Sequence, residues 1–460
     1  MLVLALSANA GKIKLLGGRM EISLKGNEDV LVTNGVHLRD GMRDLYSSTA
    51  RWNRAQDRVN FSGNVRLVDE DFRLNSSTLY YSSDERYASA GGDVRFNTAD
   101  SLLKVTGLFG EYFGDDSLLV MTGSPHLFYD DSSGTTLKLD ARKLMYFQTI
   151  PLGVAIDDVK CVFEEKEGDP FEIFCDSLTY DFQNDIMTAH RDVQLKSGKF
   201  TATCDSAEYN RNNDIVTLWG SPILEDPNSV LAADMFELHM VDQKPTEMYA
   251  TGNAEGSFKD KDGRKSEFSS YNMRFFFYNG EIDRAYLTRQ VKVDYKPEPS
   301  DTAYEEELMV TGDSVAIWFE ERQMDSVRVE GGVSGVYSRI KNSNRSSDSL
   351  FFRAEQGEFG VSSEAVRLAG KSDLSYEDMN LKAHYVTYNS NERLLYAEAL
   401  ELEDTLTGEP VLTMDGSSLK GSSMVYDLRT ERGRVLMGWS KVDPGYFWGE
   451  KLQKAGGDTM

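Results

Sequence analysis

Apolar and polar residues alternate along most of this chain. Around one glycine the apolar positions are Val59, Phe61, Val65 and Leu67, and the residues between them are polar or charged. The same alternation recurs around Gly220. A two-residue period places every second side chain on the same face of a β-strand, and helical spacing is hard to find. The pattern therefore predicts an all-β protein whose strands have one apolar face and one mostly polar face.

A module recurs along the chain about twelve times. Each copy has an aromatic or large apolar residue followed by a short polar turn, and successive copies are 29 to 41 residues apart. These positions are Trp52, Tyr81, Tyr112, Tyr146, Tyr180, Tyr209, Leu238, Tyr278, Trp318, Phe359, Tyr388 and Tyr426. A period of this length is typical of stacked supersecondary units. The chain is therefore predicted to contain about twelve tandem two-strand repeats.

A second, shorter spacing lies inside the repeat. In eight copies a glycine or polar residue stands eleven residues after the aromatic position. These residues are Gly63, Gly92, Gly123, Asp157, Arg191, Gly220, Arg289 and Gly370. Turn-forming residues such as those at 181–185 lie between the aromatic position and this second position. Each copy is therefore predicted to be a strand, a turn and a second strand.

Composition and charge narrow the range of functions that the protein can have. The 22 tyrosines, 23 phenylalanines and 38 glycines favour pleated, turn-rich structure. A net charge of −25 argues against a nucleic-acid partner, and it means that a phosphorylated amphiphile would bind chiefly through its acyl chains. The five histidines are scattered singly, and the acidic residues are diffuse. We therefore expect no enzymatic activity, no metal site and no cofactor.

The N-terminus has features of a secretory signal. Leu2 to Leu6 form a short apolar run, and Ala8-Asn9-Ala10 is a small-x-small cleavage pattern. We predict that residues 1–10 are the remainder of a signal peptide whose start lies upstream. The alternative is an ordinary N-terminus.

Two of the three cysteines occupy equivalent places in successive copies. Cys175 and Cys204 are each followed by Asp-Ser, and they are 29 residues apart, which is one period. In an oxidising compartment this spacing permits a disulfide. Two separate thiols are the alternative.

The repeat resembles that of a known family. Residues 205–210 (Asp-Ser-Ala-Glu-Tyr-Asn), followed by residues 216–224 (Val-Thr-Leu-Trp-Gly-Ser-Pro-Ile-Leu), are similar to the repeat of the OstA family of lipopolysaccharide-transport proteins. The resemblance covers the chain from about Thr33 to Met437. It implies an elongated, open β-jellyroll whose apolar groove carries lipopolysaccharide or a similar glycolipid in the periplasm. It also implies that end strands pair with other jellyrolls of the same transport system.

The alternating positions supply candidates for the lining of such a groove. They are Val59, Phe61, Val65, Leu67, Val94, Phe96, Leu119, Met121, Leu127, Val216, Leu218 and Leu224. The structural alternative is that they only pack sheet against sheet in a closed core. Aromatic residues of the repeat such as Tyr81 and Tyr209 are predicted to be structural anchors.

We predict one continuous jellyroll stack over residues 11–440, with sub-boundaries near 164–170 and 296–307 at polar inserts. Residues 441–460 form a tail. The last stretch, Gly421 to Met460, resembles the junction where translocon-type members pass from jellyroll to outer-membrane barrel, on the residues at 424–427 and 445–449. Two interpretations stay open: a periplasm-only member, or a piece of a translocon subunit associated with the outer membrane and its barrel.

Other classes of protein share some of these features. An outer-membrane barrel also alternates, but its lipid-facing band carries aromatic girdles at both ends, and here many strands are charged on both faces. A β-helix that acts on polysaccharide would need acidic residues clustered at one level. A secreted structural or adhesive solenoid is the third alternative.

Overall fold

The computed structural model describes residues 14–454, except for 23–28, 41, 54, 57, 69, 71, 83, 131–135, 165–168, 242–243, 260–263, 297–302, 321–322, 344–346, 361–364, 404, 415 and 443–444. The predicted signal peptide lies outside the described residues. All the regular elements in the described part are β-strands, which confirms the all-β prediction. No helix with the length and hydrophobicity needed to cross a membrane occurs among these residues.

The chain divides into two compact units, an N-terminal unit of residues 1–222 and a C-terminal unit of residues 223–460. The strands of the N-terminal unit are β1 (Lys14–Ile22), β2 (Asp29–Asp40), β3 (Arg43–Ser47), β4 (Thr49–Asn53), β5 (Arg58–Val68), β6 (Phe72–Ser82), β7 (Tyr87–Thr98), β8 (Leu103–Phe113), β9 (Leu118–Thr122), β10 (His126–Asp130), β11 (Thr136–Asp140), β12 (Lys143–Phe147), β13 (Leu152–Glu164), β14 (Phe171–Asp181), β15 (Ile186–Ser197), β16 (Phe200–Asn210) and β17 (Ile215–Trp219).

The strands of the C-terminal unit are β18 (Ile223–Glu225), β19 (Ser229–Ala232), β20 (Met235–Val241), β21 (Lys244–Lys259), β22 (Lys265–Tyr278), β23 (Glu281–Tyr295), β24 (Tyr304–Glu320), β25 (Gln323–Lys341), β26 (Ser347–Gly360), β27 (Ala365–Tyr376), β28 (Met379–Asn389), β29 (Leu394–Glu398), β30 (Leu400–Leu402), β31 (Thr405–Thr407), β32 (Val411–Met414), β33 (Ser417–Lys420), β34 (Ser423–Asp427), β35 (Arg432–Val442) and β36 (Gly445–Lys454).

Strand pairing within each unit is antiparallel and mostly sequential. In the N-terminal unit β5 pairs with β6, β6 with β7 and β7 with β8, and the series β13 to β16 is joined in the same way. In the C-terminal unit the series runs from β21 to β28. Some repeats have two short strands in place of one long strand: β9 and β10 both pair with β8. The predicted two-strand repeat is therefore confirmed as a pair of neighbouring antiparallel strands.

The long strands are interrupted by a two-residue corner. In β5 the corner is Gly63-Asn64, with φ angles of 80° and 48°, and the pairing with β6 shifts register between Ser62 and Val65. All eight residues of the eleven-residue spacing have a positive φ. The glycine or polar residues eleven positions after the aromatic residues are therefore the corners. The hairpin turns lie elsewhere, directly after the aromatic positions, as at 182–185.

Two features of the sequence make the corner possible. Gly220 has φ +78°, and a Cβ atom there would lie 2.4 Å from the Cβ of Asp205 on the neighbouring strand, so glycine satisfies both the backbone and the close approach. Serine hydroxyls beside the corner also donate hydrogen bonds to backbone carbonyl groups, which need partners when they are buried. The Ser76 hydroxyl donates to the carbonyl of Thr78 at 3.0 Å, and Ser270 donates to that of Asn272 at 2.8 Å.

The apolar faces of the strands form the interior of each unit. In β5 the side chains of Phe61, Val65 and Leu67 are buried, and those between them are mostly exposed. Residues from both sides of a corner belong to one packed cluster, since Phe61 precedes Gly63 and Val65 follows it. The corner therefore turns the two halves of each strand toward a common interior, so that one strand contributes to both of its walls.

The predicted inserts lie at connections between paired strands. The insert near 164–170 joins β13 to β14, and the one near 296–307 joins β23 to β24, whose first residues, Tyr304 to Glu307, are already in the strand. The two compact units meet in sequence at 222–223. The predicted continuous stack of 11–440 stays a prediction.

Candidate functional site

The interior of the N-terminal unit contains most of the predicted groove residues. Phe61, Val65 and Val94 are 6%, 2% and 1% exposed and belong to one cluster of buried side chains. Val59 and Met121 pack against this cluster and are half-buried. Five of the side chains predicted from the sequence therefore lie together in one apolar interior.

A second, smaller cluster lies beyond the corners of the same strands. Leu67 and Phe96 are buried there around Phe72, and the rings of Phe72 and Phe96 stack with their centroids 5.4 Å apart. Leu218 of β17 is also buried. Six of the twelve predicted side chains are therefore shielded from water by this chain's own residues.

The other predicted residues are more accessible. Leu119, Leu127 and Val216 are half-buried in the N-terminal unit, and Leu224 is half-buried in the C-terminal unit. Contact with a lipid at the buried positions would require the walls to separate, whereas the half-buried positions border solvent already. Lipid contact at these twelve positions stays a prediction.

Aromatic residues of the repeat hold the hairpin turns. The Tyr209 hydroxyl donates to the carboxylate of Asp214 at 2.9 Å, and Tyr180 donates to that of Asp185. In both cases the acceptor lies five residues later, across the turn. Burial and this bond raise the pKa of Tyr209 to about 12. The hydroxyl is therefore protonated at neutral pH and acts as a clamp on the turn.

The C-terminal unit contains a cavity of about 60 Å³ between strands β23 to β28. Its apolar lining includes Val293, Leu308, Val310, Met324, Val327 and Phe359. Val327 and Tyr337 both border it and stand on opposite sides of the Gly331 corner of β25. The cavity is therefore a gap between the two walls, at a place where their side chains do not fill the interior.

A charged side chain lies in this apolar surrounding. Glu306 is 6% exposed, and its carboxylate accepts a hydrogen bond from the Tyr337 hydroxyl. The Nε atom of Arg339 lies 3.5 Å from Oε1 of Glu306, and its guanidinium lies 3.9 Å from the ring centroid of Tyr304. A buried carboxylate needs such partners, because its transfer from water is costly. The cavity therefore has one polar end.

Tyr337 and Tyr388 stand on opposite walls of the cavity. Tyr388 belongs to the same row of paired residues as Val327, on the other side of the corners from Tyr337. Their ring centroids are 5.5 Å apart, and both side chains border the cavity. Burial raises the pKa of Tyr388 to about 12, and burial together with the bond to Glu306 raises the pKa of Tyr337. Both phenols are neutral at physiological pH. Such a site suits a chain of methylene groups that carries a hydroxyl group able to donate to Glu306.

The sequence analysis missed this cavity, although a signal was present. The polar residues up to Glu307 predict an insert, yet Glu306, Leu308 and Val310 alternate and all face the interior. A glutamate in phase with apolar residues of a strand is the sign of a buried charge. The gap beside Glu306 is visible only in the tertiary structure, because it depends on how the two walls are placed.

The disulfide that the sequence permits is not formed. All three cysteines, which lie among the described residues, are free and buried. Cys175 is in β14 and Cys204 is in β16, opposite Val193 of the intervening strand β15. Two strand spacings amount to about 9.6 Å, which exceeds the Cα separation that a disulfide spans. Each period contains two strands, so equivalent residues of successive copies are not neighbours.

In the described part of the chain, histidine, cysteine, aspartate and glutamate residues do not form a group of three or more that could hold a metal ion. The arrangement at the cavity is thus defined by apolar side chains and a single polar cluster around Glu306.

Comparison with known proteins gives a limited likeness. No family model matches the chain, and no curated protein matches it. Among solved structures, it is similar to LptH from Pseudomonas aeruginosa, the LptA-homologous periplasmic component of the conserved lipopolysaccharide transport device. The sequence identity is 10%, the match covers 33% of this chain and 94% of LptH, and the TM-score is 0.25. This is a weak likeness to an Lpt-type β-fold, and it carries no conclusion about activity.

Proposed function

We propose that this protein is a non-enzymatic carrier that holds lipid acyl chains in the apolar interior of its β-units, and that it serves lipopolysaccharide transport in the periplasm. The observation that carries the proposal is the apolar cavity between the two walls of the C-terminal unit, lined by residues such as Leu308, Met324 and Phe359. The OstA-like repeat in the sequence supports the choice of a lipopolysaccharide-like glycolipid as the ligand.

The interior offers enough apolar surface to retain a lipid. Burial of one methylene group contributes about 0.8 kcal/mol, so ten methylene groups contribute about 8 kcal/mol before the cost of association. The existing cavity of about 60 Å³ holds only a short part of an acyl chain. Binding of a whole chain therefore involves further separation of the walls, which are joined by the backbone at the corners and by side-chain packing on their inner faces.

Two strands at the edges of the described sheet suit a protein that binds other proteins end to end. Among the described strands, β1 pairs with β2 alone and β36 pairs with β35 alone. An edge strand presents unpaired backbone groups that can add a strand from another chain. We propose that other Lpt-type jellyrolls, or the periplasmic part of an outer-membrane barrel protein, pair at these edges.

Site-specific photocrosslinking tests the lipid-carrying role. Benzoylphenylalanine at Met324 or Val327 would place the probe at the cavity, and Phe61, Met121 and Leu218 give probe positions in the N-terminal unit. Tyr278, which is 72% exposed, is the matched surface control. We expect crosslinks to lipopolysaccharide from the interior positions, at least tenfold more than from Tyr278.

Two results would contradict the proposal. Equal labelling from interior and surface positions would indicate non-specific contact with lipid. Absence of labelling from every interior position, in variants whose circular dichroism matches that of the unmodified protein, would favour a structural or adhesive solenoid. Release of sugar products from a polysaccharide by the purified protein would favour the enzymatic alternative.

A further inference from the structure

The hairpin of β35 and β36 has an aromatic outer face. Trp439 and Trp448 are directly opposite each other, and Lys441 is opposite Tyr446 two residues further along, so all four side chains are on one face of the hairpin. The rings of Trp439 and Tyr446 have centroids 6.4 Å apart. Trp439, Tyr446 and Trp448 are 41%, 73% and 66% exposed.

On β35 this face points away from the interior, whereas β36 is exposed on both faces: Phe447, opposite Ser440, is 60% exposed. Ser440, which follows Trp439, is only 5% exposed, and its hydroxyl donates to the carbonyl of Ser418 at 2.8 Å. Adjacent residues of a strand point to opposite faces, so the neighbouring aromatic side chain is on the outside. The outer face of β5, in contrast, carries Asn60, Ser62 and Arg66. A cluster of large exposed aromatic rings on an outer face marks an interaction surface.

The charge of the hairpin is opposite to that of the whole chain. Residues 432–454 contain five basic and two acidic residues, a net charge of +3, whereas the chain carries −25. Lys441 is exposed on the aromatic face, and the Lys420 ammonium lies 5.9 Å from the ring centroid of Trp439. The surface therefore combines tryptophan and tyrosine rings with lysine, and it complements a negatively charged partner.

Anionic lipid headgroups fit this combination best. Tryptophan and tyrosine favour the interface between membrane and water, where the ring is in an apolar region and its polar atom is hydrated. Basic residues beside them are attracted to anionic lipids. Among the described strands β36 pairs with β35 alone, and unpaired backbone groups at an edge are costly in hydrocarbon. Contact is therefore limited to the headgroup level.

We propose that the outer face of the β35–β36 hairpin, formed by Trp439, Tyr446, Trp448 and Lys441, docks the protein on an anionic membrane surface. The rest of the chain is acidic and is repelled by the same surface, so the hairpin also orients the molecule. This inference does not depend on the proposed lipid-carrying interior, because the hairpin face and the cavity consist of different residues.

Sedimentation with vesicles tests the proposal. The full chain is mixed with vesicles of equal parts phosphatidylcholine and phosphatidylglycerol, and with vesicles of phosphatidylcholine alone. We expect binding to the anionic vesicles, and at least tenfold weaker partitioning for the triple variant W439S/Y446S/W448S. Lys441→Glu and 0.5 M salt should each weaken binding to the anionic vesicles. The control F200S/Y278S/F351S removes three exposed aromatic residues elsewhere and should bind like the unmodified protein.

Two further measurements, tryptophan fluorescence quenching and self-association in solution, complete the test. In a variant with Trp52, Trp219 and Trp318 replaced by phenylalanine, brominated lipids should quench the remaining tryptophans at headgroup depth. Unchanged binding of the triple variant, or no binding of the unmodified protein, would overturn the proposal. A third outcome also overturns it: the unmodified protein self-associates, the triple variant stays monomeric, and neither protein binds vesicles. The aromatic face would then be an interface between copies of this chain.

Discussion

Replacement of Gly220 by alanine is expected to destabilise the N-terminal unit strongly. The residue has φ +78°, and left-handed backbone costs an alanine about 1–2 kcal/mol. The added Cβ atom would lie 2.4 Å from the Cβ and 2.6 Å from the Cγ of Asp205. Such overpacking typically costs about 1–3 kcal/mol. The free energy of unfolding should therefore fall by about 2–5 kcal/mol.

Gly35 provides a matched control in the same unit. It has φ +83°, and nothing lies within 4 Å of a Cβ atom placed there. Gly35→Ala should therefore show the backbone cost alone, about 1–2 kcal/mol. The difference between the two variants isolates the contact with Asp205. In a double-mutant cycle, Asp205→Gly should remove most of that difference, because it deletes the opposing atoms.

Hydrogen exchange measured on peptides is the suitable assay, since a chain of two compact units need not unfold in one step. Peptides from β15, β16 and β17 report opening of the strands that flank Gly220. The reasoning is refuted if Gly220→Ala and Gly35→Ala lower the protection of their own strands equally, or if Asp205→Gly leaves the effect of Gly220→Ala unchanged.

Three further predictions concern buried or half-buried titratable groups. Glu306→Ala should lower the free energy of unfolding of the C-terminal unit by about 3–5 kcal/mol in urea titrations, because Arg339 loses a buried carboxylate; Glu306→Gln keeps an acceptor oxygen and should cost less, so equal losses would contradict this account. Burial and the nearby Asp294 carboxylate raise the pKa of Glu307 above its ordinary value of 4.5, so the stability gained from its neutral form is present below pH 4.5 and is lost as the pH rises through the folded pKa. Glu307→Gln should therefore raise Tm at pH 7 but not at pH 4, and an equal change at both pH values would be inconsistent with this cause. Burial raises the pKa of Cys161 to about 12 and those of the other two cysteines to about 11, so iodoacetamide at pH 8 should leave the folded protein unmodified and alkylate three thiols in urea; a single alkylated thiol would reveal a disulfide.

Much of the local structure was predictable from single residues and their spacing. The glycine positions at eleven residues from the aromatic residue are corners, and the same is true of Arg191, where no glycine marks the place. The burial of Phe61 and Val65 follows from the two-residue period. These features depend on backbone geometry over a few residues, which is why the spacing is sufficient to predict them.

Contacts between distant residues were beyond the reach of the same reasoning. Cys175 and Cys204 are equivalent in the repeat, yet β15 lies between their strands, and only the order of strand pairing shows this. The gap beside Glu306 depends on how the side chains of two facing walls fill the space between them. Alternation determined which side chains point inward, because successive residues of a strand face opposite ways. Tertiary packing alone decided which of them meet, because that depends on the distance between walls whose residues are far apart in sequence.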